Sequence, residues 1–149
     1  MWIYNNEPFT EIPEKAIGFV YLITNTQNNK KYIGKKIFHF SKTIQKNLKK
    51  KKVKVESDWK TYNGSNDDLN NDIKLNNPEL KKEIIEICYS KSSLSYIEAQ
   101  MQFTNNVLID STYYNNWISV RVTRRHLLSY SKDIQKTPYK IMLDESNSI

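Results

Sequence analysis

Two phenols and one carboxylate are the groups in this chain best suited to chemistry. Tyr21 and Tyr32 stand eleven residues apart, and Lys35 and Lys36 follow closely after the second. A free phenol ionises near ~10, so it serves as a base at neutral pH only where nearby positive charge lowers that value. Lys35 and Lys36 are placed to supply such charge and to hold a phosphate. Glu98 comes later, in a stretch where Leu94, Ile97 and Met101 fall near helical spacing, so that its face borders the core. Each has an ordinary reading as well. Tyrosines are common strand formers half buried in sheets, and a helical glutamate is usually solvated.

The elements that would position these groups can be read along the chain. Residues 18–24 and 30–34 are short runs rich in Val, Ile and Tyr, joined by the polar turn formers Asn25-Thr26-Gln27-Asn28-Asn29. They predict a β-hairpin. On its first strand Phe19, Tyr21 and Ile23 share one face, and Val20, Leu22 and Thr24 the other. Gly34 ends the second run, where the backbone bends or approaches something closely. Residues 37–56 fit either a second, basic hairpin or a frayed helix with its tip at Lys49–Lys52. Gly64 then breaks the chain, and Ser65 or Asn66 can cap a helix reaching Ile73 or Leu75, stopped by Asn77-Pro78. Residues 81–89, with Ile84, Ile85, Ile87 and Cys88, suit a third, buried strand. Ser92 or Ser93 caps the next helix, whose apolar positions run on to Val107 or Leu108. Tyr113 to Asn116 make a turn. From Trp117 to Tyr130 a strand or loop passes into a helix carrying Arg121, Arg124, Arg125 and His126. An N-terminal arm, 1–17, packs Trp2 or Ile3 on the domain as an edge strand. A tail, 131–149, is expected to be mobile.

Composition narrows the class. A chain of 149 residues is one domain's worth, and 38% hydrophobic content with ten tyrosines and three tryptophans favours a packed core over disorder. No apolar run has membrane-spanning length, and the first residues lack a basic flank with an apolar core, so neither a membrane anchor nor a signal peptide is expected. The single Cys88 cannot form an internal disulfide and reads as a buried thiol, consistent with a reducing cytoplasm. The net charge of +7 is concentrated: residues 35–60 hold ten lysines against Glu56 and Asp58, while the rest of the chain has 13 basic and 14 acidic residues. Such a segment is either a polyanion footprint or a solvated lysine loop.

The ordered pattern Gly18, Tyr21, Ile23, Asn25, then Tyr32-Ile33-Gly34-Lys35, resembles the GIY-YIG nuclease family, with Phe19-Val20-Tyr21 as a degenerate first half. The resemblance extends over most of residues 18–116 through the third strand, helical Glu98 and Tyr114-Asn115. It implies a small α/β (α+β) domain, 18–130, with a three-stranded antiparallel sheet flanked by helices and a Lys-rich insertion at about 37–60. It implies an endonuclease hydrolysing DNA phosphodiesters, leaving a 5′-phosphate and a 3′-hydroxyl. Tyr21 would be the general base or water-orienting phenol and Tyr32 its partner. Glu98 would hold one divalent metal, Mg²⁺ or Mn²⁺, and Asn115 would position backbone and active-site groups. The family arginine on the helix after the second half is missing. At its spacing stands Lys42, with His39 near. Either Lys42 or Lys35 replaces it, a downstream arginine folds in, or activity is impaired. That last case makes the chain a nucleic-acid-binding protein that has kept the fold, and a partner-binding domain with merely soluble lysines is a further rival. Double-stranded DNA would be gripped by Lys36, Lys46, Lys49, Lys50, Lys51, Lys52 and Lys54, helped by Arg121, Arg124 and Arg125. The Asn- and Lys-rich, Gly-poor composition suggests an AT-rich genome such as a bacteriophage's, and hence a host-cytoplasmic location. Oligomeric state is not legible.

Overall fold

The computed structural model describes residues 1–121 and 123–125. The alternating runs of the hairpin become β3 (Gly18–Asn25) and β4 (Lys31–Ile37), and the third apolar run becomes β7 (Leu80–Cys88). The N-terminal arm contributes β1 (Trp2–Tyr4) and β2 (Glu7–Pro8). Together they form one sheet in the order β2-β1-β7-β3-β4. The expected antiparallel trio β7-β3-β4 is therefore the centre of a five-stranded mixed sheet, because β1 lies parallel to β7, with Trp2 opposite Lys82. What draws the arm in is Trp2. Its ring is buried, its Nε1–H donates to the Trp59 carbonyl at 2.6 Å, and the Lys82 amine sits 4.4 Å from its ring centre.

Strand alternation then sorts the core into two halves. Phe19, Tyr21 and Ile23 pack with Trp2, Phe38, Trp59 and Leu69 on one face. Val20, Leu22 and Ile33 pack with Leu94, Ile97 and Met101 on the other. The first half is covered by α1 (Asp67–Asn76), where the Asn66 side chain accepts the Leu69 N–H and Asn77 closes the last turn in a left-handed conformation before Pro78. The second is covered by α2 (Lys91–Thr104). Its cap is Ser90, not Ser92 or Ser93: Ser90 leaves β7 with extended backbone, and its hydroxyl accepts the Ser93 N–H at 3.0 Å. Cys88 is buried and in no disulfide, as expected. Among the described residues no helix is long and apolar enough to cross a membrane.

The ambiguous stretch 37–56 is a hairpin. β5 (His39–Lys46) and β6 (Lys49–Glu56) form their own two-stranded ribbon, paired in unbroken register from His39↔Glu56 to Lys46↔Lys49. Asn47 and Leu48 both take positive φ at its tip, the two-residue geometry that matches strand twist. A leucine there gives no turn signal, which is why the sequence left the choice open. Both strands are exposed along most of their length. The ribbon joins the domain at its base, where the Ser57 N–H donates to the Phe38 carbonyl at 2.8 Å. His126 and the expected tail lie outside the described residues.

Since the distal ribbon is exposed along most of its length, removing it should cost little. Replacing residues 42–53 with Asn-Gly would join Ser41 to Lys54, already cross-strand partners. The unfolding free energy should change by less than about 1 kcal/mol. A loss above about 2 kcal/mol in urea denaturation would show that the ribbon supports the domain.

Candidate active site

β4 is an edge strand, and alternate residues turn their backbone groups away from β3. All are met. The Lys31 N–H donates to the Thr112 carbonyl at 2.8 Å, and the Tyr114 N–H to the Lys31 carbonyl at 2.7 Å. Asn115 takes both groups of Ile33: its Oδ1 accepts the N–H at 3.2 Å and its Nδ2 donates to the carbonyl at 2.8 Å. Gln102 of α2 donates to the same carbonyl at 3.0 Å. The Lys35 N–H donates to the Glu98 carboxylate, and the Ser57 hydroxyl to the Ile37 carbonyl at 2.6 Å.

A cavity of about 370 Å³ opens over this edge, and Tyr32, Lys35, Ser65, Glu98, Gln102, Asn115 and Trp117 are among the residues lining it. Burial holds the Glu98 carboxyl above the usual glutamate range, partly offset by the Lys35 amine and N–H. The Lys35 ammonium lies 3.8 Å from Glu98 Oε1 and donates to Ser95 Oγ at 2.7 Å. Tyr32 shares a 3.2 Å hydrogen bond with the Ser65 hydroxyl, and burial raises its phenol.

Tyr21 stands behind the cavity. It is buried, with its ring 6.1 Å from that of Tyr32. It pairs across the sheet with Gly34, and a Cβ at that position would overlap the phenol oxygen. The glycine is there because the tyrosine is. Burial pushes the Tyr21 phenol well above its ordinary value, and Tyr62, hydrogen-bonded to it, Tyr32 and Glu98 push the same way.

The site thus brings Tyr32, Lys35, Glu98 and Asn115 together with Tyr21 at its back. Other candidates lie elsewhere. Lys36 turns to the Tyr62 side, 3.9 Å from that ring centre and 2.6 Å from Asp58 Oδ1. Lys42 is on β5, opposite Val53, and is not among the residues that line the cavity. The ribbon is inserted directly after β4, so counting onward from Gly34 lands on it and not on α1. Lys46, Lys49, Lys50, Lys51, Lys52 and Lys54 share that ribbon. Arg121, Arg124 and Arg125 are exposed beyond the last lining residue, Ser119. The sequence reading missed Tyr62, Ser65 and Gln102. Gly64, at φ +90°, packs on Tyr32 and was the available sign that its neighbours meet the site.

Among the described residues Glu98 is the only carboxylate lining the cavity, and no three His, Cys, Asp or Glu side chains cluster. That donor set does not suit zinc. It does suit a hard cation taking one carboxylate, nearby neutral oxygens, water and a substrate phosphate.

Residues 2–118 match the family described as "Putative endonuclease segE, GIY-YIG domain". No curated protein sequence and no solved structure matches the chain.

The double bond of Asn115 to Ile33 gives an order of stabilities. Asn115→Ala strands a buried N–H and should cost about 2 kcal/mol, whereas Gln102→Ala leaves the Ile33 carbonyl served by Asn115 and should cost less. Urea denaturation reads both, and the reverse order would contradict this account of the edge.

Proposed function

This chain belongs to the GIY-YIG endonuclease family, and from that premise we propose that it hydrolyses DNA phosphodiester bonds at the cavity over β4. The supporting observation is the convergence of one carboxylate, one lysine and one phenol, Glu98, Lys35 and Tyr32, on a single opening. GIY-YIG nucleases use a divalent metal, and in this chain Glu98 would hold it, with Mg²⁺ the expected ion. When bound, such an ion polarises the scissile phosphate and adds positive charge beside the phenols.

The chain's own residues do the rest. Lys35, held beside Glu98 by Ser95, meets the phosphate and balances the charge gained at the transition state, an effect worth several kcal/mol when the cation is preorganised. Tyr32, steadied by Ser65, orients the attacking water. Tyr21 stays neutral at physiological pH, so its hydroxyl acts by hydrogen bonding from behind Gly34. Water oxygen bonds to phosphorus, the bond to the 3′ oxygen breaks, and a 5′-phosphate and a 3′-hydroxyl remain. Lys35 rather than Lys42 takes the part of the family arginine, as a point charge without the two-pronged fork. A second reading, a DNA-binding protein with impaired turnover, is favoured by one observation: α1, the helix after the second tyrosine strand, has no arginine. Plasmid nicking with Mg²⁺ and with EDTA separates the two.

Single-turnover cleavage at saturating enzyme tests the assignments. Glu98→Ala should abolish cutting with DNA binding kept, and Lys35→Ala should lose ~10²–10³ in rate. Lys42→Ala should change binding only. Near wild-type cutting by the Glu98 variant would sink the metal assignment. The pH profile gives an independent sign. The Lys35 ammonium favours ionised Glu98, so Lys35→Met should move the acid limb of cleavage to higher pH. An unmoved or lowered limb would mean that the pair is not coupled.

A further inference from the structure

Taking its substrate from the nuclease reading, the geometry of the β5–β6 ribbon points to a second role: insertion into the major groove of duplex DNA, with Ser41, Thr43 and Gln45 reading base edges. Strand register sorts its side chains into two faces. One pairs Ser41 with Lys54, Thr43 with Lys52 and Gln45 with Lys50, polar throughout. The other pairs Phe40 with Val55, Lys42 with Val53 and Ile44 with Lys51, and its half-buried residues are Ile44, Val53 and Val55. The four-lysine run is thus divided equally between the faces.

Among the described residues none of the seven ribbon lysines forms an ion pair. Lys46 and Lys49 lie directly opposite one another, an arrangement unfavourable in the free protein. A polyanion removes that cost. The shape selects which polyanion. Strands ~4.8 Å apart fit a groove ~12 Å wide, and a ribbon of this length spans roughly 27 Å. A membrane surface would call for a broad apolar face, whereas the face free to meet a ligand is hydroxyl, amide and ammonium. Glutamine can pair with adenine N6 and N7, and serine or threonine with any base edge. Alternate residues step ~6.8 Å along the strand, about two base pairs of rise. The lysines of the other face reach sideways to the phosphates.

The test uses full-length Glu98→Ala protein, which leaves bound DNA uncut, on a duplex pool with randomised positions. The expected result is an enriched sequence whose guanine N7 atoms, in the major groove, are shielded from dimethyl sulfate. Adding Ser41→Ala, Thr43→Ala and Gln45→Ala together should lower enrichment at least about tenfold with non-specific binding within about twofold. Gln45→Ala alone should relax one position. Lys49→Gln through Lys52→Gln should weaken binding to every duplex and cut the slope of log affinity against log salt by about 2, the share of Lys49 and Lys51 on the phosphate-facing side. Equal enrichment by the triple variant, exposed N7 atoms, competition by a minor-groove ligand, or equal binding to anionic vesicles or to an RNA duplex, whose major groove is too narrow, would each overturn the proposal. Plasmid cleavage by the unaltered protein keeps the two readings apart. A footprint without cleavage counts against the nuclease and for the ribbon, and cleavage without a footprint does the reverse.

Discussion

The free edge of β4 is the constraint on which the rest depends. An edge strand exposes backbone donors and acceptors, and these must be satisfied or they recruit another chain. Here most of the sealing groups are drawn from α2 and the strap after it: Glu98, Gln102, Thr112, Tyr114 and Asn115. The cavity lies along that seam. Glu98 is therefore fixed by the Lys35 N–H before any ligand arrives, and Lys35 is oriented by Ser95 on the same helix. Rigid placement of this kind is what a charged site needs, since little reorganisation remains when charge develops. Edge protection and candidate chemistry use the same side chains.

Much of this was legible because it follows from short-range pattern. Period-two alternation located the hairpin and the face shared by Phe19, Tyr21 and Ile23, and helical spacing located the buried stripe of Leu94, Ile97 and Met101. What stayed hidden depends on distant partners. Trp2 looked like arm, and only its bond to the Trp59 carbonyl, fifty-seven residues away, makes β1 a sheet member. Lys42 was found by counting, and counting fails where an insertion separates two elements. The α2 cap is Ser90 and not the expected Ser92 or Ser93, because all three serines can accept the same kind of bond and the extended backbone at Ser90 decides between them.

Burial also redefines groups that the sequence marks only by type. Tyr21 and Tyr32 are the same residue eleven positions apart, yet one is sealed behind Gly34 and the other borders the opening. Two lysines adjacent in sequence diverge as well. Lys35 turns to Glu98 and Lys36 to Asp58, because neighbours on a strand face opposite sides.

The base of the ribbon has one more consequence. His39 and Glu56 face each other where the ribbon leaves and rejoins the domain, so to the rest of the fold the sixteen residues between them amount to a bridge of one strand spacing. Lengthening, shortening or exchanging that segment leaves the end-to-end distance untouched, and the entropic cost of a longer loop grows only logarithmically. The hairpin is thus an interchangeable attachment on a fixed body. Descendants of this chain could acquire different grips on their substrates by drift in a segment whose changes the core never registers.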